Sequence, residues 1–160
     1  MTTGVIQTQG TELYFIDTLT SSAAAIIKLD CPTGITGLGG AVDQIEVTCL
    51  DTLDDKEYRS GLGNPGTVSI PFNFIPSSSS HQILFDLKNG STITQWMIGF
   101  SDGTADPTLS GSDLFVAPVG RTTAEFTAYV SDVNIDIATN EIVRGTLTLQ
   151  RSGTVDWTYA

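Results

Sequence analysis

The stretch "RSGLGNPGTVSIPFNF", residues 59–74, separates two readings of the fold. Gly61, Gly63 and Gly66 stand at the G-x-G-x-x-G spacing. Between a buried strand and a helix, that spacing cradles a dinucleotide pyrophosphate. Neither flank supplies that setting. Upstream, "LDDKEYR" (53–59) is polar. Downstream, Val68, Ile70, Phe72 and Phe74 alternate with Thr67, Ser69, Pro71 and Asn73, the period of a half-buried strand. Pro65 removes an amide donor from inside the motif, and Asp54, Asp55 and Glu57 beside it repel phosphate. The glycines therefore read as a flexible loop that feeds a strand. Pro71, which cannot donate to a ladder, predicts a free edge or a local break in that strand.

The same period recurs along the chain. "QIEVTC" (44–49) points Ile45, Val47 and Cys49 inward and Gln44, Glu46 and Thr48 outward. "TAEFTAYV" (123–130) sets Ala124, Phe126, Ala128 and Val130 against Glu125, Thr127 and Tyr129. "RGTLTLQ" (144–150) sets Leu147 and Leu149 against Thr146, Thr148 and Gln150. Further strands are expected in "ELYFID" (12–17), "AAAIIKLD" (23–30), "TITQWMIGF" (92–100) and "DLFVAP" (113–118). One segment departs from the pattern. In "PSSSSHQILFDLKNG" (76–90), Ile83, Leu84 and Leu87 fall at helical spacing. Ser79 with Gln82 forms a capping box, and Lys88 before Gly90 is a stop signal, so a short helix is expected over 79–89. The prediction is an all-β fold with one short α-helix, a β-sandwich or partly open barrel. It forms a single domain over 1–160 without repeat or linker.

Composition narrows the function. The chain has 160 residues, 40% of them apolar and only 16% charged, with 18 acidic and 7 basic side chains and a net charge of −11. Such an acidic chain repels nucleic-acid phosphates, so binding through a basic patch is excluded; repulsion is useful where a polyanion must pass without sticking. No apolar run approaches 18 residues, so membrane insertion is not expected, and the N-terminus lacks the pattern of a secretory signal. Cys31 and Cys49 read as reduced, buried small hydrophobes.

No chemistry stands out. Asp51, Asp54, Asp55 and Glu57 form one acidic cluster and Asp102, Asp106 and Asp113 another, both without the ligand alternation of a calcium loop. His81 is the one histidine, among serines that read as helix caps, and there is no G-x-S-x-G elbow for a hydrolase. Trp96 lies in an apolar strand, where packing is its expected role, leaving Trp157 as a possible sugar platform. No enzyme, cofactor or metal is expected.

The order of segments adds more. The strand and Pro/Gly turn of residues 25–40 are followed by Asp43-Gln44-Ile45-Glu46-Val47-Thr48-Cys49-Leu50-Asp51. Then come the acidic loop ending Glu57-Tyr58-Arg59-Ser60-Gly61-Leu62-Gly63, the alternating strand from Val68, the helix, and "QWMIGFSDGT". The chain closes on "FTAYVSDVNIDIATNEIVRGTLTLQRSGTVDW". Over roughly residues 11–158 this succession resembles the tail-tube (major tail) proteins of long-tailed bacteriophages.

The resemblance implies a structural virion protein that forms hexameric rings, whose inner sheets join into one barrel and which stack into the tail tube. Its implied partners are further copies of itself, the tape-measure, tail-tip and tail-terminator proteins, and genomic DNA that passes through an acidic lumen without specific binding. Assembly would take place in the host bacterial cytoplasm. Residues 51–66 would be the loop that reaches a neighbouring ring, with Asp51, Asp54, Asp55, Glu57, Tyr58, Arg59, Gly61, Leu62, Gly63, Pro65 and Gly66 as its assembly residues. The segments before Thr11 and after Arg151 would serve as further intersubunit arms. Glu46, Glu125, Asp132 and Asp136 are the lumen candidates. An end near Ala160 leaves no room for the C-terminal immunoglobulin-like domain that some relatives carry. Two alternatives stay open: a tube protein of a contractile injection-type machine, and a β-sandwich carbohydrate- or receptor-binding module.

Overall fold

A computed structural model describes residues 4–20 and 22–160. Six of its strands form one antiparallel sheet. They are β1 (Glu12–Asp17), β2 (Ala25–Lys28), β5 (Thr67–Asn73), β6 (Ile93–Gly99), β9 (Thr123–Asp136) and β10 (Arg144–Thr158), in the order β2-β1-β6-β9-β10-β5. Two hairpins stand apart, β3 (Ala41–Glu46) with β4 (Tyr58–Asn64), and β7 (Thr108–Leu109) with β8 (Phe115–Val116). The helix α1 spans Ser79–Gly90. The expected all-β architecture with one short helix is thus what the chain adopts, as a curled, partly open sheet covered on one face by α1.

The alternation in sequence places the core. Val68, Ile70 and Phe72 of β5, Ala124, Phe126, Ala128 and Val130 of β9, and Leu147 and Leu149 of β10 are all buried on the helix-facing side. Ile83, Leu84 and Leu87 of α1 complete that cluster; full burial of such a side chain stabilises the fold by about 2 kcal/mol. Trp96 is fully buried there, 5.0 Å from the ring of Phe15, as its apolar strand predicted. On the opposite face, Tyr14, Ile16 and Met97 form a second small cluster with Phe115, beneath the β7–β8 hairpin. Pro71 lies on an edge strand, but that edge is covered rather than free, with isolated bridges on either side of the proline. β5 is the last strand of the sheet, and residues 31–36 line its outer edge, with Thr33 N–H donating to the Pro71 carbonyl at 2.8 Å.

Several local expectations are corrected. Ser78 is the N-cap of α1 and makes no side-chain cap bond, so no capping box forms at Ser79. The nearby serines bond elsewhere: Ser78 Oγ donates to the Asp30 carboxylate and shares a 2.8 Å contact with Ser80 Oγ. Gly90 stays helical, and Ser91 in the left-handed region (φ 49°) ends the helix. Cys31 and Cys49 are free and exposed rather than buried. Ile45, Val47 and Cys49 likewise have no core to point into, since every residue of β3 is exposed. The stretch read as a loop over 51–66 is in fact half strand, β4 pairing with β3 as a hairpin arm. Its glycines take specific places there. Gly61 sits at the irregularity where Val42 pairs with Gly63 but Gln44 with Ser60; a Cβ at Gly61 would lie 3.2 Å from the Asp43 carbonyl oxygen. Gly66 (φ 71°) turns the chain into β5.

Candidate assembly surface

The β3–β4 arm is inserted between the edge-lining segment 31–36 and β5. Pairing continues past the strand ends, where Val47 N–H donates to the Glu57 carbonyl at 2.9 Å. An extended hairpin from Ala41 to Leu50 reaches about 30 Å from its base. No residue of 41–64 belongs to either core cluster. The arm nevertheless carries Val42, Ile45, Val47, Leu50, Leu53, Tyr58 and Leu62, all exposed, with Leu50 and Leu53 entirely so. A monomer rarely leaves so many apolar side chains together in water, and such a surface marks a contact with another protein. The candidate assembly residues Asp51, Asp54, Asp55, Glu57, Tyr58, Arg59, Leu62 and Gly63 share one exposed projection with the half-buried Gly61, while Pro65 and Gly66 lie at its base.

That base is fixed to the sheet by residues the sequence reading passed over. Gln150 Nε2 donates to the Gly66 carbonyl at 3.0 Å, and Arg151 N–H to the same oxygen at 3.2 Å. The Arg151 guanidinium donates through Nη2 to the carbonyls of Gly39 and Pro65, one on each side of the arm's entry. Gly37 (φ 96°) lets the chain pass so closely that a Cβ would fall 2.1 Å from the Thr67 carbonyl oxygen. A signal for Arg151 was present: it continues the parity of Leu147 and Leu149, so the strand that buries them must bury a charge two residues on.

A second surface is the face of β9, β10 and β5 turned away from α1. By register, Glu125 lies opposite Asp156, Tyr129 opposite Gln150, Asp132 opposite Thr148 and Asp136 opposite Arg144. Thr67 and Ser69 of β5 extend the same face beside Gln150 and Thr148. Three of the four lumen candidates thus share one polar face; the bulge between Val130 and Asp132 keeps Asp132 and Asp136 on the side of Glu125. Burial, and then the Asp156 carboxylate, raise the Glu125 carboxyl above its ordinary range. A hydrogen bond and ion pair from Lys88 at 2.9 Å hold the exposed Asp132 below it. Glu46 is separate from this face. It stands on the arm, 3.2 Å from Lys56 Nζ.

The remaining ionisable groups are tied into the fold. Arg121, 1% exposed, donates to the carbonyls of Phe100 (2.8 Å), Ala105 (2.9 Å) and Gly99 (3.0 Å) and to Glu12 Oε2 (3.0 Å). Tyr14 OH has its single proton between two carboxylate acceptors, Glu12 Oε2 at 2.5 Å and Asp106 Oδ1 at 2.7 Å. Burial alone would raise the Glu12 carboxyl, but hydrogen bonds from Lys28, Tyr14 and Arg121 outweigh it and bring it down to about 2. His81 accepts the Ile75 N–H at Nδ1 (3.0 Å), and its Nε2 meets the Asp30 carbonyl at 2.8 Å beneath Phe72. Both ring nitrogens are thereby engaged with backbone. Trp157, half exposed, stacks between Phe100 and Tyr159. Among the described residues no three His, Cys, Asp or Glu side chains converge as a metal site, and no helix is long and apolar enough to cross a membrane.

Comparison with known proteins agrees with this geometry. Structural protein 3 of Pseudomonas phage PAJU2 is 35% identical over 153 residues, covering 93% of this chain and 91% of the relative. The fold is shared with the SPP1 tail tube (TM-score 0.64, 11% identity, 98% of this chain and 80% of that one). It is also shared with the PVC sheath/tube terminator of an extracellular contractile injection system (TM-score 0.68, 14% identity, 99% and 100%). The model of the lambda-like phage tail tube family matches residues 4–160, and the chain belongs to that family.

Proposed function

We propose that this protein is the building block of a phage tail tube, polymerising as hexameric rings that stack around a lumen through which DNA passes. Its role is structural rather than catalytic, with the virion tail as its place of work and the host cytoplasm as its place of assembly. The observation that carries the reading is the arm, an extended hairpin that contributes nothing to the core and exposes a row of apolar side chains. Contact with a neighbouring subunit gives those side chains a burial that the monomer lacks. Among the described residues β2 has no strand paired on its outer edge, which supplies a second joining site, because such an edge is a template for pairing with another chain.

The polar face of β9, β10 and β5 then lines the lumen. Hydroxyls, amides and the carboxylates Glu125, Asp132, Asp136 and Asp156 face a moving polyanion, with Arg144 in the same register and Lys88, which reaches Asp132 from α1, as the cations beside them. Such a lining repels phosphate and offers few cationic traps. Tape-measure, tail-tip and terminator proteins complete the assembly. The β7–β8 hairpin covers the apolar part of the same sheet face and keeps it from a wet channel.

Negative-stain microscopy of the concentrated wild-type chain, beside a variant lacking residues 48–56, tests the reading. The wild-type chain is expected to form hollow six-fold tubes. The variant is expected to retain the wild-type unfolding transition, because its core is intact, and to form no tubes. A wild-type chain that stays monomeric in the presence of tail-tip complex, or a variant that forms normal tubes, would overturn it.

A further inference from the structure

Beside the base of the arm lies an open cleft of about 400 Å³. Its walls include Leu38, Val42, Val155 and Trp157, its rim carries Thr154, and Arg151 lies in it. Arg151 is 5% exposed, and its Nε is buried without a hydrogen-bond partner. Among the described residues it has no carboxylate within ion-pairing distance, although the chain carries 18 acidic side chains. Burial draws its pKa down with no anion to oppose the effect. A buried, uncompensated cation among apolar walls is costly to keep, and the cost falls when a carboxylate enters.

The far end of the arm has the complementary chemistry. Leu50 and Leu53 are fully exposed and alternate there with Asp51, Asp54 and Asp55. Leu50 and Leu53 of the arm's own tip are fully exposed, so they do not fill this cleft in the same chain. We propose that the tip, residues 49–55, of one subunit docks in the Arg151 cleft of a second copy, apolar side chains against Val42, Val155 and Trp157 and a carboxylate towards the guanidinium. This assignment rests on the tube reading and names the receptor for its arm. The contact is head-to-tail, a donor tip in an acceptor at the next arm's base, so it propagates as a stack rather than closing in a pair. Arg151 also bonds the two carbonyls at the arm's entry, so an occupied cleft steadies the acceptor's own arm.

The test mixes two full-length variants under tube-forming conditions. Cys31→Ser retains the exposed Cys49 of the tip; the triple variant Cys31→Ser, Cys49→Ser, Thr154→Cys carries a thiol only at the cleft rim. A short bismaleimide reagent is expected to give a heterodimer from the mixture. It should give none when the thiol is moved from Thr154 to the exposed Gln82 of α1. Adding Leu50→Ser and Leu53→Ser to the donor should remove the 49–154 product. Tubes that form with no 49–154 product, or with equal product at Gln82, would overturn the docking site and leave the tube reading standing. Failure of the unmodified chain to form tubes would overturn both.

Discussion

Replacing Glu12 with Gln tests how the end of the sheet is held. Glu12 is the acceptor shared by Arg121, Tyr14 and Lys28, and its carboxyl moves from an ordinary 4.5 to about 2 on folding. At about 1.4 kcal/mol per tenfold in the proton equilibrium, that amounts to about 3 kcal/mol of stability at neutral pH. Lys28 donates the hydrogen bond that lowers the carboxyl most, but its ammonium is 53% exposed, so solvent screening holds that pair under about 1 kcal/mol and leaves about 2 kcal/mol in all. Tyr14 and Arg121 supply the remainder, and without Glu12 the buried Arg121 would have no carboxylate partner. The carboxyl's folded pKa lies below its unfolded one, so the stabilisation is complete above about 4.5 and fades as pH falls towards 2. Urea unfolding, followed by the fluorescence of buried Trp96, should show the Gln variant about 2 kcal/mol weaker at pH 7, with a melting point roughly 4–8 °C lower. The gap should shrink steadily between pH 4.5 and pH 2.5. Measurements near pH 4 need dilute samples, since the chain is close to its isoelectric point of about 4.1. A gap that is constant from pH 7 to pH 2.5, or absent at pH 7, would refute the assignment of Glu12 as the ionised hub.

Two further outcomes follow from packing and exposure. Gly145→Ala would place a methyl 2.4 Å from Phe72 Cζ, in a ring already packed 4.7 Å from that of His81, and should cost about 1–3 kcal/mol in the urea midpoint; an unchanged midpoint would mean the ring has room to move. A thiol reagent such as Ellman's should titrate two cysteines in the native monomer without denaturant, since Cys31 and Cys49 are both exposed; fewer than two would contradict the structure.

How far the sequence was legible depended on what each strand packs against. Alternation in β5, β9 and β10 marked residues that proved fully buried, because the partner surface, α1 and the rest of the sheet, lies in the same chain. Identical alternation in Ile45 and Val47 led to a wrong placement. Period-2 patterning states that one face of a strand avoids water, and it does not say whether the covering surface belongs to the same molecule. The misplaced Cys49 and the loop reading of 51–66 have the same origin: β4 is rich in glycine and polar residues, and only its pairing with β3 makes it a strand. The partners of Arg121 and Arg151 were illegible for a different reason, although strand parity did signal the burial of Arg151. Each arginine is a single cation whose partners are mostly backbone carbonyls distant in sequence, and carbonyls leave no trace in residue types. The errors on the arm therefore carry information. Where the apolar period is strong and the folded chain leaves it exposed, as at Val42, Ile45, Val47, Leu50 and Leu53, the proposed tube assigns the missing half of the packing to another copy. A sequence that appears to specify more core than one chain can close is specifying an assembly.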